Sequence, residues 1–388
     1  MTTQTHKTDV LIIGSGMAGM TLVRELRKLD GEKTIHMLTA DDGAQYSKPM
    51  LSNAFAQNKR AEDLVQKSGS DWAAEQNVVL STKTWVSAIN RTAKTVVVSG
   101  PNGREEIGYD QLVLAVGASP RPYAPLGVAP KALPAVNSLA DYAAWRRDIQ
   151  LGDRVLIVGA GLIGVEFAND LAGSGHQVDV VDPAPHPLGR LLPSELGVLM
   201  QAKLVEVGVT FHMNQSIQHM TDGEARLTNG QVVDYDHVLS AIGLVANTEL
   251  ADVSGLQTEQ GIVVDPFMMT TDPHIYALGD CAQTKVGVLP YIQPLMIQAR
   301  ALAKTLADDP TPVVMPALPV VVKTPALPTV VCPPPAGAEG SWVVEGDDVD
   351  RRAVFQGENG QTLGFALTGK ATQGRMSLAK EVPDLLAA

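Results

Sequence analysis

Two glycine-rich segments share the spacing Gly-x-Gly-x-x-Gly, a pattern that can bind the pyrophosphate of a dinucleotide. The first, GSGMAG, covers residues 14–19, and the second, GAGLIG, covers residues 159–164. The first glycine permits a tight turn from strand to helix, the second lets the backbone approach the pyrophosphate, and the third lets the helix pack on the strand. The N-terminus of that helix then offers free N–H groups to the phosphates. The predicted cofactor contacts are Gly14, Gly16, Met17, Ala18 and Gly19 in the first segment and Gly159, Gly161, Leu162, Ile163 and Gly164 in the second.

Acidic residues follow both glycine segments at the sequence separation that is common for a residue that binds the ribose. Asp182 stands 18 residues after Gly164, at the end of a short apolar run. A carboxylate here accepts hydrogen bonds from a ribose 2′-OH and repels a 2′-phosphate, so the sequence favours NADH over NADPH. The competing interpretation of Asp182 is a solvated turn residue before Pro183. In the first unit we assign the ribose to Asp41, with Asp42 as the alternative.

The elements that must position these residues form two strand–helix–strand units. In the first unit, residues 9–13 and 34–38 are predicted strands with a helix between them. In the second, residues 155–158 and 178–181 are predicted strands, and residues 166–172 continue the intervening helix. Continuous apolar strands that alternate with helices are typical of parallel sheets covered on both faces.

Two further apolar strands end in a glycine where the chain leaves a sheet. They run from Leu112 to Gly117 and from Val238 to Gly243. We expect the chain to cross between domains just after both glycines. The predicted cofactor contacts in this region are Ala115, Gly117 and Gly243.

The predicted fold class is α/β, with two Rossmann-like dinucleotide-binding domains and a small α+β C-terminal domain. Two dinucleotides in one chain imply hydride transfer from a nicotinamide to a flavin, so we assign FAD to the first unit and NADH to the second. An FAD-binding domain at residues 1–121 and 245–322 is predicted to be interrupted by an NADH-binding domain at 122–244. Residues 323–388 are the predicted C-terminal interface domain.

The composition excludes several other classes of protein. The chain of 388 residues has 30 Lys and Arg against 42 Asp and Glu, and its net charge of −12 disfavours nucleic acids and anionic membranes as partners. Two cysteines are too few for a disulfide framework, and the 8 histidines lack metal-ligand spacing, so no metal site is predicted. The N-terminus does not resemble a signal peptide, and no apolar run approaches the roughly 20 residues of a membrane helix. A cytoplasmic protein without membrane insertion is therefore expected.

Further segments resemble the pyridine-nucleotide flavoprotein oxidoreductases of the glutathione-reductase fold, and the resemblance spans nearly the whole chain. Residues 271–282, TDPHIYALGDCA, resemble the family's second FAD motif, whose aspartate binds the ribityl chain of the flavin. That aspartate corresponds to Asp280, which Gly279 precedes; both are predicted cofactor contacts. Residues 110–122 resemble the segment that closes the FAD domain, and GVE at 164–166 matches the NADH motif.

Within that family, five segments resemble the rubredoxin–NAD+ reductases of alkane-degrading bacteria. They are TADDG at 39–43, YSKPMLSN at 46–53, GAGLIGVEFANDL at 159–171, LPYIQPLMIQARALAKTL at 289–306 and KTPALP at 323–328. The resemblance implies that FAD takes a hydride from NADH and that single electrons pass to rubredoxin, in support of alkane hydroxylation. Two alternatives stay open: an NADH-dependent reductase for the [2Fe–2S] ferredoxin of an oxygenase, and an NADH-binding regulatory flavoprotein with slow turnover.

A missing cysteine is the most informative departure from the family. Its disulfide reductases place a redox-active cysteine pair beside the flavin, and its NADH peroxidases and oxidases place a single cysteine there. The corresponding residues here, 46–50, read YSKPM. We interpret Cys281 and Cys332 as buried structural residues. Electrons are then expected to leave the flavin directly, which suits a one-electron metalloprotein acceptor.

Two residues are predicted to be catalytic and to contact the cofactors. By resemblance, Lys48 lies near the N5 edge of the isoalloxazine and stabilises charge there; the alternative is an ordinary surface lysine. Glu166 falls on the apolar face of the phosphate-binding helix, where an unpaired carboxylate is costly. We expect Glu166 to pair with Lys48 and to hold the nicotinamide carboxamide. Interaction with the helix dipole in the first turn is a compatible second interpretation.

Two later segments are also expected to approach the flavin. Residues 290–306 are predicted to form a helix, with a start after Pro294 as the alternative, and its N-terminus is expected to point at the flavin pyrimidine. Lys323, in the Pro- and Val-rich stretch, is expected to contact the flavin or the protein partner.

Overall fold

The computed structural model describes residues 7–127 and 133–387 of the chain. Residues 1–6, part of the N-terminus in which no signal peptide is expected, lie outside the described residues. So do residues 128–132, which belong to the predicted NADH-binding domain.

A seven-stranded sheet carries the first glycine segment. Its parallel strands are Val79–Ser81, Ile35–Leu38, Lys7–Ile13, the second half of Gly103–Leu114, and Ile275–Ala277, and it continues antiparallel through Thr95–Gly100 and Trp85–Asn90. Residues 10–13 are all buried without alternation, because both faces of the sheet are covered. Helix Met17–Leu29 covers one face and packs against helix Ile292–Leu306.

A second, four-stranded parallel sheet carries the second glycine segment. Its strands in spatial order are Val209–Met213, Gln177–Asp182, Arg154–Val158 and His237–Ser240. Its helices are Leu139–Arg146, Leu162–Gly173 and Ser194–Glu206, and an antiparallel sheet of Ile217–Thr221, Glu224–Leu227 and Val232–Asp234 lies beside it. The two sheets bear out the predicted α/β class with two Rossmann-like units.

The two segments that join these units run side by side. Strand Ala118–Pro120 pairs antiparallel with strand Leu244–Ala246. Gly117 and Gly243 immediately precede the two strands, and both have positive φ, 67° and 102°. The chain therefore leaves both parallel sheets at a glycine and passes between the units as one two-stranded connection.

The C-terminal region forms a five-stranded antiparallel sheet. Its strands in spatial order are Val320–Val322, Thr329–Cys332, Thr362–Thr368, Asp350–Gly357 and Gly340–Asp347. The first strand precedes residue 323, where the sequence predicts the C-terminal domain to begin, so the sheet extends beyond that predicted boundary.

Short elements complete the described residues. The remaining strands are Gln45–Tyr46, Val65–Lys67, Ile262–Val263, Ala282–Thr284 and Gly287–Val288. The remaining helices are Ala61–Leu64, Gly69–Glu75, Glu249–Val253 and Arg375–Ala379, with 3-10 turns at Lys48–Asn53, Gly279–Cys281 and Gly369–Gly374. Within 7–127 and 133–387, no helix combines the length and hydropathy needed to cross a membrane.

Helix Ile292–Leu306 lies within the predicted residues 290–306 and begins before Pro294, so the alternative start after that proline is wrong. Pro294 is the third helical residue, where the backbone N–H has no partner within the helix. The missing N–H of proline therefore costs nothing at this position.

Candidate active site

A cleft of about 2810 Å³ is lined by both dinucleotide-binding units and by the C-terminal sheet. The predicted site residues line it with three exceptions, Gly19, Gly164 and Gly279. These three glycines pack behind the surface of the cleft. The fold thus gathers residues from all three predicted domains around one space.

The first glycine of each motif is required by a close approach of two strands. Gly14 has a φ of 112° and Gly159 a φ of 107°, which L side chains rarely adopt. A Cβ on Gly14 would lie 2.2 Å from the carbonyl oxygen of Ala115, and a Cβ on Gly159 would lie 2.6 Å from that of Ala241. Any side chain at either position would therefore force the strands apart.

The third glycine of each motif brings the helix onto its own turn. A Cβ on Gly19 would lie 2.1 Å from the carbonyl oxygen of Gly14, and a Cβ on Gly164 would lie 1.9 Å from that of Gly159. These contacts explain why Gly19 and Gly164 do not line the cleft. Each packs against its turn on the side that faces away from the cleft.

The second glycine of each motif faces open space. A Cβ on Gly16 or Gly161 would meet no atom within 4 Å, and both residues line the cleft. Each is the N-cap of its helix, with no side-chain cap and no acidic residue in the first turn. Uncapped N–H groups beside this space fit the pyrophosphate of a dinucleotide.

Asp41, the predicted ribose ligand of the first unit, and Asp42, its alternative, each accept hydrogen bonds from neighbouring residues of their own turn. Asp41 lines the cleft and accepts hydrogen bonds from the Thr39 hydroxyl at 2.6 Å, the Gly43 N–H at 2.9 Å and the Ser15 hydroxyl at 3.3 Å. Asp42, the alternative, is exposed and accepts from the Ala44 N–H at 3.1 Å.

Asp182 connects the end of its strand to the second glycine loop. Its carboxylate accepts hydrogen bonds from the N–H groups of Ala160 and Ala184, both at 2.7 Å, and it lines the cleft. Its position at a strand end beside the loop suits contact with a ribose, and its charge disfavours a 2′-phosphate.

Lys48 and Asp280 both line the cleft, and the charge of each affects the pKa of the other. Burial lowers the pKa of Lys48, and the carboxylates of Asp280 and Asp141 oppose that shift. Burial raises the pKa of Asp280, and Lys48 opposes that shift. The backbone is fixed just before Asp280, where the N–H of Gly279 donates to the side-chain oxygen of Gln298 at 2.8 Å.

Glu166 pairs with Lys323, so the predicted pairing with Lys48 is wrong. The side chain of Glu166 is only 4% exposed and accepts from the Lys323 ammonium at 2.5 Å, the Ser52 hydroxyl at 2.7 Å and the Lys323 N–H at 3.0 Å. The ammonium also donates to the carbonyl oxygen of Pro49 at 2.7 Å and to Ser52 at 2.8 Å. Glu166 is the fifth residue of its helix, beyond the first turn, which also removes the helix-dipole interpretation.

Three contact residues near this pair were not predicted from the sequence: Ser52, Asn169 and Asp170. Asn169 and Asp170 follow Glu166 at the spacing of one helix face, and all three side chains of that face are buried. Buried Asn and Asp in the middle of a helix need polar partners, and this signal could have identified them.

Both cysteines are buried and protonated at neutral pH. Burial raises the pKa of Cys281 and of Cys332 to about 11 in each case. Cys281 does not line the cleft, whereas Cys332 lines its wall from the C-terminal sheet. Neither thiol is poised as the thiolate that disulfide chemistry requires.

Comparison with known proteins places this fold and site in a class of oxidoreductases. The chain belongs to the pyridine nucleotide-disulphide oxidoreductase family, whose model matches residues 8–298. A second model, the rubredoxin binding C-terminal domain, matches residues 312–382 and so includes the five-stranded sheet.

Individual relatives cover the chain almost completely. It is 44% identical to the rubredoxin-NAD(+) reductase of Acinetobacter baylyi, over 98% of this chain and 99% of that protein. It is 42% identical to the rubredoxin-NAD(+) reductase of Alcanivorax borkumensis, over 97% of this chain and 99% of that protein. Among solved structures, a covalent putidaredoxin reductase–putidaredoxin complex matches with a TM-score of 0.86 at 26% identity, over 97% of this chain and 94% of the other.

Proposed function

We propose that this protein oxidises NADH, with FAD as its resident cofactor, and delivers single electrons to rubredoxin. One observation carries the proposal: the region that matches a rubredoxin-binding domain supplies a wall of the same cleft that both glycine loops line. Bound FAD supplies the chemistry that joins the two halves of the reaction, because a flavin accepts an electron pair as hydride and can release electrons singly.

The proposed roles of the binding residues follow from their positions. The two glycine loops hold the pyrophosphates, the first that of FAD and the second that of NADH. Asp41 and Asp182 hold the riboses, and Asp280, by resemblance, holds the ribityl chain. The charge of Asp182 supports NADH over NADPH.

Lys48 and the start of helix Ile292–Leu306 are proposed to stabilise negative charge on the flavin. Both line the cleft, and the first turn of the helix contains no acidic residue. The positive end of a helix dipole and a nearby ammonium favour negative charge in such a site. Lys323 is held by Glu166, Ser52 and Pro49. We therefore assign Lys323 to orienting the carboxylate of Glu166, which is proposed to lie beside the nicotinamide.

The thiols support direct transfer to a metal-containing partner. A disulfide substrate requires a reactive thiolate, and the raised pKa values of Cys281 and Cys332 disfavour it. Rubredoxin carries the metal, so the reductase itself needs none. Within the described residues, no group of three or more His, Cys, Asp or Glu could hold a metal ion.

Two finer assignments belong to the same proposal. A cytoplasmic location is supported by the use of NADH and by two free cysteines. Delivery of electrons from rubredoxin to alkane hydroxylation is implied by the resemblance to reductases of alkane-degrading bacteria.

A ferredoxin reductase is the second candidate function. It is favoured by the similarity to the putidaredoxin reductase complex, in which the partner is putidaredoxin. The matched rubredoxin-binding domain favours rubredoxin instead. A regulatory flavoprotein with slow turnover would differ from both, since it would hold a long-lived complex with NADH and reduce neither acceptor quickly.

Steady-state kinetics with both acceptors test the proposal. The FAD-bound protein is assayed anaerobically with NADH and either rubredoxin or a [2Fe–2S] ferredoxin. We expect kcat/KM to be at least about tenfold higher for rubredoxin. A preference for ferredoxin would support the second candidate, and slow rates with both would support the third.

A further inference from the structure

One side of helix Leu162–Gly173 presents three buried polar residues. Glu166, Asn169 and Asp170 are 4%, 8% and 4% exposed, and their spacing places them on neighbouring turns of one face. The helix begins at the second glycine loop, whose cleft-lining backbone is the proposed NADH pyrophosphate site. Segments that bind to this face of the helix therefore lie at a fixed distance from the proposed NADH site.

Asp170 holds the segment that follows Lys48. One carboxylate oxygen accepts from the N–H of Phe55 at 2.8 Å and the other accepts from the N–H of Ala56 at 3.0 Å. Burial raises the pKa of Asp170, and the two N–H bonds oppose that shift. These residues lie just after the 3-10 turn Lys48–Asn53, so the carboxylate fixes the C-terminal end of the turn that carries Lys48.

The side chain of Phe55 anchors the same segment. Its ring packs edge-on against Tyr142, Trp145 and His176, with centroids 5.6–5.8 Å apart. The guanidinium of Arg146 lies 4.2 Å from the centre of the Phe55 ring. Backbone and side chain of this segment are thus both bound to residues of the predicted NADH-binding domain.

Asn169 holds the segment that carries Lys323. Its side-chain oxygen accepts from the N–H of Ala326 at 3.0 Å. One turn earlier, Glu166 accepts from the N–H of Lys323 at 3.0 Å. Two acceptors on one helix face therefore fix the start and the end of residues 323–326.

We infer that Asp170 and Asn169 are positioning residues for hydride transfer. They hold the two lysine-bearing segments, at Lys48 and Lys323, in a set relation to the helix that begins at the NADH loop. The inference rests on the proposed function. It adds that the geometry between nicotinamide and flavin is set by this helix face, and not by the glycine loops alone.

The expected effect is a loss of rate without a loss of NADH binding. In Asp170→Asn the amide NH2 would face one of the two backbone N–H donors, so at least one bond is lost and the segment shifts. A displacement of about 1 Å can reduce a rate about 100-fold. We expect the limiting rate of flavin reduction by NADH to fall about tenfold or more, with the Kd for NADH changed less than twofold.

Anaerobic stopped-flow spectroscopy of the FAD-bound protein separates these quantities. The variants are Asp170→Asn and Asn169→Ala, and both should lower the limiting rate. Asp265→Ala is the control: Asp265 also accepts two backbone N–H bonds, from Phe267 at 2.8 Å and Met269 at 2.9 Å, but does not line the cleft. Both bonds go to one carboxylate oxygen, so alanine rather than asparagine is needed to remove them. We expect Asp265→Ala to leave the limiting rate within twofold of the wild type.

Two further readouts do not depend on hydride transfer. Electron delivery from the chemically reduced variants to rubredoxin should stay within twofold of the wild type. Amide hydrogen exchange should accelerate at residues 55–56 in Asp170→Asn and at residue 326 in Asn169→Ala, whereas in Asp265→Ala it should accelerate only at residues 267 and 269.

The results distinguish this inference from the proposed function. The inference is overturned if Asn169→Ala, and Asp170→Asn if it folds, reduce the flavin at the wild-type rate, or if both half-reactions slow equally. A wild-type protein that fails to reduce rubredoxin would instead contradict the proposed function. Slower flavin reduction in the variants with unchanged NADH affinity supports the inference in either case.

Discussion

Replacing Glu166 with Gln is predicted to destabilise the protein by about 2–4 kcal/mol. The carboxylate is 4% exposed and accepts three hydrogen bonds, one of them from the Lys323 ammonium at 2.5 Å. A hydrogen bond to a charged group contributes about 1.5–3 kcal/mol. Removing one partner of a buried ion pair costs about 3–5 kcal/mol. The side chain of Lys323 is 31% exposed, so water offsets part of that cost and brings the expected loss into the predicted range.

A double-mutant cycle in a denaturant titration, followed by tryptophan fluorescence, measures this effect. The cycle consists of the wild type, Glu166→Gln, Lys323→Met and the variant with both substitutions. Because no charge is left unpaired in the double variant, we expect it to be more stable than the sum of the two single losses predicts. Glu206→Gln is the control, since Glu206 pairs with Lys203 at an exposed position, and its cost should stay below about 0.5 kcal/mol.

Two results would refute this reasoning about the buried pair. One is a loss below about 0.5 kcal/mol in Glu166→Gln, equal to that of the exposed control. The other is a double variant in which the two losses simply add, since residues in direct contact should couple.

Four further predictions concern the nucleotide sites and the thiols. Gly161→Val should fold normally but weaken NADH binding at least about 100-fold in a titration, because its side chain enters the pyrophosphate space. Gly159→Ala, in contrast, should lower the melting temperature of the protein. Equal melting temperatures of the two variants would contradict this distinction. Asp182→Ala should raise the ratio of kcat/KM for NADPH to that for NADH about tenfold or more; an unchanged ratio would remove Asp182 from nucleotide selection. Cys281 and Cys332, with pKa values of about 11, should not react with a thiol reagent at pH 8 until the protein is unfolded. Because the folded state keeps protons that the unfolded state releases, stability should fall as the pH rises from 9 towards 11.

The glycine loops could be predicted from the sequence because their geometry is encoded locally. A strand, a turn and a helix occupy consecutive residues, and the close approaches at Gly19 and Gly164 arise within that unit. The same holds for Asp182, whose distance from the loop is set by one helix and one strand. Local spacing was therefore enough to predict the two glycine loops and the position of Asp182 beside the second loop.

The partner of Glu166 could not be predicted in this way. Lys323 lies 157 residues further along the chain, and its contact depends on how the C-terminal segment packs against the helix. The sequence favoured Lys48, because resemblance placed that lysine beside the flavin. The structure instead pairs Glu166 with Lys323, and the bonds of Asn169 and Asp170 depend equally on tertiary packing.

The stoichiometry of electron transfer tests the central claim most directly. Limiting NADH is added anaerobically to the FAD-bound protein with excess oxidised rubredoxin, using both the wild type and a variant with Cys281→Ala and Cys332→Ala. A hydride carries two electrons and rubredoxin accepts one, so we predict two rubredoxins reduced per NADH oxidised, at the same rate in both proteins. Reduction of less than one rubredoxin per NADH, or loss of transfer in the cysteine-free variant, would contradict the account.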